Sequence, residues 1–205
     1  MAAFVGHVDQ PDHSPPMIDI TSLAIVDVKL IRTKILFDSR GHFVETYSRR
    51  HYAAAGIACE FVQDNCSLST RVGTVRGLHF QLPDAAQAKL IRVLAGAVFD
   101  VAVDIRRGSP TYGRWCSTTL TARGGEQTFV PRGFAHGFCT LEPDTQVAYK
   151  VDAYYAPDRS RGLAWNDPDI AIRWPVEAND PCLSESDARL PPFAGFDSPF
   201  CYEGK

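Results

Sequence analysis

The chain has 205 residues, an apolar fraction of 45% and a formal net charge of −3. That length suits one domain with extensions, and the slight acidity argues against a nucleic-acid surface or a polybasic membrane patch. No apolar run reaches the ~18 residues that a membrane-spanning helix needs. The N-terminus shows no basic segment followed by an apolar one, so no secretion signal is expected and the chain reads as cytoplasmic. Six cysteines form neither a Cys-x-x-Cys pair nor a zinc-knuckle spacing, and they read as reduced, mostly buried thiols.

In chain order, residues 1–16 are polar, proline-bearing and aperiodic, and predict a flexible arm. Residues 17–205 predict a single domain with an irregular C-terminal tail. Alternation from Met17 to Leu36 reads as strand. Asp38-Ser39-Arg40-Gly41 is a turn by composition, and Phe43 to Tyr47 is a short strand. Ser48 to Gly56 predicts one or two helical turns, with Ser48 as N-cap and Gly56 as C-cap. Strands follow around Phe61–Ser67, Gly73–Gln81, Lys89–Leu94, Ala97–Ile105, Gly113–Thr121, Gln127–Val130, Ala135–Leu141 and Thr145–Tyr154, separated by turns rich in Gly and Pro. Short strands at this spacing predict an all-β sandwich or barrel with short peripheral helices. No β-α alternation or glycine-rich phosphate loop is present. Ser184 to Asp187 starts a helical turn that Pro191 and Pro192 would stop.

The centre of this pattern is Arg76-Gly77-Leu78-His79-Phe80-Gln81. Strict alternation puts Arg76, Leu78 and Phe80 on one face and Gly77, His79 and Gln81 on the other. His79 then reads either as a hydrogen-bonded core histidine or as a base. Gly125, Pro131, Gly133 and His136 fall at the spacing of the second cupin motif. The first motif would be His79-Phe80-Gln81, with Gln where cupins place a second metal-binding His. His79 and His136 with a distant carboxylate such as Glu45 would make a divalent metal site. A barrel that keeps its histidines after losing half the ligand set points instead to metal-free acid–base work.

The ordered motifs resemble those of the dTDP-4-dehydrorhamnose 3,5-epimerases. The matching segments include Asp38–Gly41, Phe61–Asn65, Arg76–Gln81, Lys89-Leu90, Val98–Arg106, Pro131–Phe138, Tyr149-Lys150, Tyr154-Tyr155 and Trp165–Pro168. The resemblance implies a cupin-type jelly roll, a homodimer and no metal or cofactor. It implies inversion of C3 and C5 of a dTDP-4-keto sugar on the way to dTDP-L-rhamnose. His79 would be the base, Asp187 its carboxylate partner, Tyr149 the proton donor on the other face, and Lys89 the cation near the C4 oxygen. Arg40, Glu45, Gln63, Asn65, Arg76 and His136 would bind the sugar nucleotide, and Tyr155 would stack on thymine. Without the resemblance, Asp187 reads as a solvated tail charge, Tyr149 as a core aromatic and Lys89 as a surface cation.

Two positions depart from the family pattern: Ser160 stands where Glu is frequent, and Ser186 where Lys is frequent. Both bear on the choice of sugar nucleotide. Three other readings remain at this level: inversion at C3 or C5 alone, a metal-dependent cupin, and a sugar-binding jelly roll without catalysis.

Overall fold

The computed structural model describes residues 18–176 and 180–204. The arm expected over residues 1–16 lies outside them. In chain order the elements are β1 (Ile18–Ser22), β2 (Lys29–Thr33), β3 (Ile35–Asp38), β4 (Gly41–Val44), α1 (Arg49–Ala54), β5 (Gln63–Ser69), β6 (Val75–Gln81) and β7 (Lys89–Ala95). They continue with β8 (Ala97–Asp104), β9 (Arg106–Arg107), β10 (Trp115–Thr121), β11 (Glu126–Val130), β12 (Phe134–Thr140), β13 (Thr145–Val151), β14 (Ser160–Gly162) and β15 (Phe200–Cys201).

Two antiparallel sheets carry the structure. One has six strands in the order β1-β2-β11-β7-β13-β5, the other five in the order β10-β8-β12-β6-β14. They face each other across a core drawn from both: Leu30, Ile91 and Val147 from the first sheet, Val98, Leu120 and Phe138 from the second. The outer face of the five-stranded sheet, with Leu78, Phe80 and Val101, is covered by the C-terminal segment through Leu163, Ile170 and Phe200. The outer face of the six-stranded sheet packs Ile31, Leu90 and Phe129 against Tyr52 of α1. The central strands thus alternate between an inner and an outer apolar layer, which is the pattern of a β-sandwich.

The all-β expectation holds, with local differences. The alternation over residues 17–36 is broken by a turn: Leu23 N–H donates to Val28 O at 2.9 Å, and β1 folds back on β2 with Ile20 opposite Ile31. The two halves of that alternating run satisfy each other's backbone, so they form a hairpin rather than one long strand. Ser48 caps α1 as expected, accepting from the His51 N–H. The C-cap falls on Ala55, and Gly56 lies one position beyond it at a φ of +87°.

The main correction concerns β6. His136 of β12 pairs with His79, whereas Phe138 pairs with Arg76, so three steps along β6 match two along β12. Gly77 is the extra residue of a bulge. Val75, Leu78 and Phe80 consequently pack in outer clusters, while Arg76 and His79 both turn inward. Strict alternation wrongly grouped Arg76 with Leu78 and Phe80. Only glycine suits the bulge: φ is +130°, and a Cβ would stand 2.6 Å from Gly137 Cα and 2.8 Å from His136 O.

At the end of β8, the fully buried Asp104 carboxylate accepts from the Arg106, Ser109 and Thr111 side chains. Arg106 also reaches Asp27 at 2.9 Å, tying the β1–β2 turn to the β8–β10 connection. Burial alone would raise the Asp104 carboxyl, but these donors outweigh it and hold it below its ordinary value.

The bulge yields a direct expectation. Gly77→Ala should cost at least about 2 kcal/mol of stability, because the neighbour it meets is backbone and cannot turn aside. Urea unfolding measures this; a variant as stable as the parent would mean that the Gly77–Gly137 approach is looser than described.

Candidate active site

The inner faces of the two sheets diverge at one end and enclose a cleft of about 650 Å³. His79, Gln81 and Arg76 enter it from β6 and His136 from β12, all on the five-stranded sheet. Lys89 enters from β7 and Tyr149 from β13, on the six-stranded sheet. The cleft therefore has two walls, each made by a different sheet. Asp187, from the C-terminal tail, completes it beside His79.

Asp187 sits on a short 3-10 turn, Asp187–Arg189, and is buried. Its Oδ1 lies 2.7 Å from His79 Nε2, and its Oδ2 accepts the Gly77 N–H at 3.3 Å. Burial pushes the Asp187 carboxyl up, but the His79 imidazole, the Gly77 amide and the Ser184 hydroxyl bring it below its ordinary value. An ionised carboxylate only accepts, so Nε2 of His79 carries the proton and Nδ1 is left as the basic nitrogen. The pairing expected of His79 and Asp187 is thus present, although 108 positions separate them in sequence.

A second histidine–carboxylate pair lies on the same wall. His136, directly opposite His79 in the β12–β6 register, has Nε2 2.7 Å from Asp100 Oδ1. Both groups are buried, and burial lowers the His136 pKa against the opposing pull of Asp100. Among the described residues, Asp100 Oδ2 has no hydrogen-bond partner. Sequence reasoning gave Asp100 no role. The available signal was a carboxylate at an inward position of the otherwise apolar run Val98 to Val103.

Facing this wall, Lys89 Nζ reaches the His79 carbonyl oxygen at 3.5 Å. Burial pushes the Lys89 ammonium down to about 8, with Asp100 opposing the shift. Tyr149 packs against the inner core, and burial raises its phenol, which keeps it protonated at neutral pH. Arg76 is anchored by Ser69 Oγ at 3.1 Å and Leu68 O at 3.0 Å. Tyr155 stands exposed at the cleft edge, and its N–H donates to Gln63 Oε1.

The other sequence-predicted residues lie elsewhere. Gln63 donates to Asn65, and Asn65, opposite Tyr149 on β5, lines a neighbouring depression rather than the cleft. Arg40 is an exposed residue of the β3–β4 hairpin paired with Asp38. Glu45 bonds His51 Nδ1 at 2.7 Å. Neither lines the cleft. The metal set considered from sequence, His79, His136 and Glu45, is therefore not assembled, and each member already has a partner. Both departures from the family pattern, Ser160 and Ser186, do line the cleft.

A family model described as dTDP-4-dehydrorhamnose 3,5-epimerase matches residues 22–195. The chain belongs to the dTDP-4-dehydrorhamnose 3,5-epimerase family. The Sinorhizobium fredii dTDP-4-dehydrorhamnose 3,5-epimerase is 49% identical over 88% of this chain and 92% of that protein. The Bacillus anthracis enzyme of that name, solved with TDP and PPi bound, superposes with a TM-score of 0.83 at 46% identity, over 85% of this chain and 99% of that one. The Legionella pneumophila dTDP-6-deoxy-D-glucose-3,5-epimerase, solved with dTDP-4-keto-L-rhamnose, gives a TM-score of 0.86 at 40% identity, over 91% and 100%. The sandwich is accordingly a cupin-type jelly roll, as the resemblance implied.

Proposed function

We propose that this protein inverts C3 and C5 of dTDP-4-dehydro-6-deoxy-D-glucose, giving dTDP-4-dehydro-L-rhamnose for dTDP-L-rhamnose synthesis. The observation that carries the reading is a base and an acid on opposite walls of one cleft. His79 stands on the five-stranded sheet and Tyr149 on the six-stranded sheet. Epimerisation next to a carbonyl requires that division, because the proton leaves one face of the carbon and returns to the other.

His79 Nδ1 takes the proton from the carbon beside the C4 carbonyl, and Asp187 stabilises the imidazolium that forms. Lys89, as an ammonium, stabilises the oxyanion of the enolate. Tyr149 then delivers a proton from the opposite side. The cycle needs no oxidant or reductant. Arg76 and His136 line the same cleft and bind the sugar nucleotide, with Arg76 suited to phosphate oxygens. Tyr155, flat and exposed at the edge, stacks on the base.

Residues 17–205 act as one epimerase domain, since both sheets and the tail line one cleft. The protein works as a homodimer in the cytoplasm. The cysteines at 59, 66, 116, 139, 182 and 201 are all free, which suits a reducing compartment. No described helix is long and apolar enough to cross a membrane. The dimer is supported by the β3–β4 hairpin, which exposes Phe37 and Phe43 and carries Arg40 away from its own cleft. Arg40 and Glu45 contact substrate once a second subunit brings such a hairpin to the cleft and closes its open side, while Gln63 and Asn65 bind from this chain's own β5, beside Tyr155 and Tyr149.

Three outcomes are expected. Proton NMR in deuterated buffer should show wild-type protein exchanging both the C3 and C5 hydrogens of the substrate, and His79→Ala should lose at least about 10³-fold in turnover while still binding dTDP. Exchange at a single carbon would reduce the activity to a mono-epimerase; no exchange would sink the assignment. Lys89 is cationic below its pKa of about 8 and neutral above it, so kcat should fall as pH rises through that value. Lys89→Met should be slow and lack that basic limb; an unaltered limb in the variant would assign it to another group. Finally, mixing and refolding inactive Arg40→Ala and His79→Ala proteins should recover a fraction of the activity through hybrid dimers with one intact site. Recovery of none would place Arg40 outside the partner's cleft.

A further inference from the structure

We propose that Ser184 is a positioning residue of the His79–Asp187 pair, acting by capping the turn that presents the carboxylate. The inference rests on the epimerase reading and names a residue that it does not use. Ser184-Glu185-Ser186-Asp187 has the spacing of a helix-capping box, in which a Ser hydroxyl accepts the N–H three residues on and the acidic side chain there reaches back. The structure keeps the first half of that arrangement. Ser184 Oγ accepts the Asp187 N–H at 3.1 Å, and Ser184 O accepts the Ala188 N–H at 3.0 Å. The second half is diverted: the Asp187 carboxylate takes His79 Nε2 and the Gly77 N–H instead of reaching back to an N–H at the head of the turn.

The Ser184 side chain is then what holds the turn's entry, through the Asp187 N–H and the Ser186 hydroxyl. Upstream, Cys182 is pinned to β6 by two backbone bonds, Cys182 N–H to Gly73 O and Val75 N–H to Cys182 O, both 3.0 Å. Downstream, Ala164 N–H donates to Pro191 O at 2.8 Å. Between these anchors the turn is held by backbone bonds, Ala188 N–H to Ser184 O at 3.0 Å and Arg189 N–H to Ser186 O at 3.2 Å, and by side-chain bonds of Ser184, its cap and its hydroxyl contact to Ser186 Oγ at 2.9 Å. Asp187 has to arrive within hydrogen-bond distance of an imidazole set by a different sheet strand. A turn free to fray would spend part of its time with the carboxylate out of reach, leaving the His79 tautomer unfixed.

Ser184→Ala tests this, with Ser184→Thr retaining the hydroxyl and Glu185→Ala disturbing the same turn without touching the cap. Glu185 is exposed and pairs only with Arg189, at 3.6 Å. Three quantities are read: kcat and KM, dTDP affinity, and the His79 Nε2–H signal in 15N-histidine-labelled protein, assigned by its loss in His79→Asn. Ser184→Ala should lower kcat by about tenfold, the scale of a lost cap. KM and dTDP affinity should stay within about twofold, and the Nε2–H signal should broaden or vanish. Ser184→Thr should restore both kcat and signal, and Glu185→Ala should match wild type. A Ser184→Ala protein with unchanged kcat and a sharp signal would overturn the proposal. So would weakened dTDP binding with unchanged kcat, which would make Ser184 a substrate contact. The imidazole signal is read without turnover, so failure of the epimerase reading itself would show separately, as absence of exchange by wild type.

Discussion

The Asp187 carboxylate ties the C-terminal tail to two points on one strand more than a hundred positions away, His79 and Gly77. One oxygen holds the His79 imidazole and the other holds the amide of Gly77, the bulge residue of the same strand. A buried carboxylate is tolerated only where donors satisfy it, and here the donors include the His79 imidazole and the irregular backbone next to it. The bulge in turn exists because Gly77 and Gly137 allow β6 and β12 to approach where a side chain would not fit. The tail, the bulge and the His79 imidazole therefore depend on one another.

The chemistry follows from where the two sheets place charge. The five-stranded wall carries both histidine–carboxylate pairs, and the six-stranded wall carries the ammonium and the phenol. Burial acts differently on each. It lowers the Lys89 and His136 pKa values and raises that of Tyr149, favouring the neutral form in all three. Asp187 goes the opposite way, because its hydrogen bonds outweigh its burial. The cleft thus keeps a phenol able to give a proton, a carboxylate able to hold an imidazolium, and an ammonium poised close to physiological pH. These are the separate requirements of moving a proton across the plane of an enolate.

Ser160 and Ser186 bring neutral hydroxyls to a cleft rich in cationic and imidazole groups. Ser186 is occupied by Ser184, and both belong to the turn that carries Asp187. In this chain, the segment leading to the dyad is thus held by its own hydroxyls.

The linear sequence determined the strand-and-turn rhythm, and hence an all-β sandwich, because alternation and Gly/Pro punctuation are local properties of the backbone. Its ordered motifs, such as Arg76–Gln81 and Tyr149-Lys150, also pointed to the reacting groups proposed for the cleft. It could not disclose that Arg76 shares a wall with His79, because a bulge shifts the face of a strand without altering composition. Nor could it assign Asp100, whose meaning depends on a histidine 36 positions away on the neighbouring strand. Met17 to Leu36 read as continuous strand because alternation alone does not reveal which segment each half pairs with. Asp187 without the family resemblance was a polar residue in a polar tail. Only the folding of that tail onto the bulge made it a buried partner, because burial and hydrogen bonding are set by what the chain meets in space.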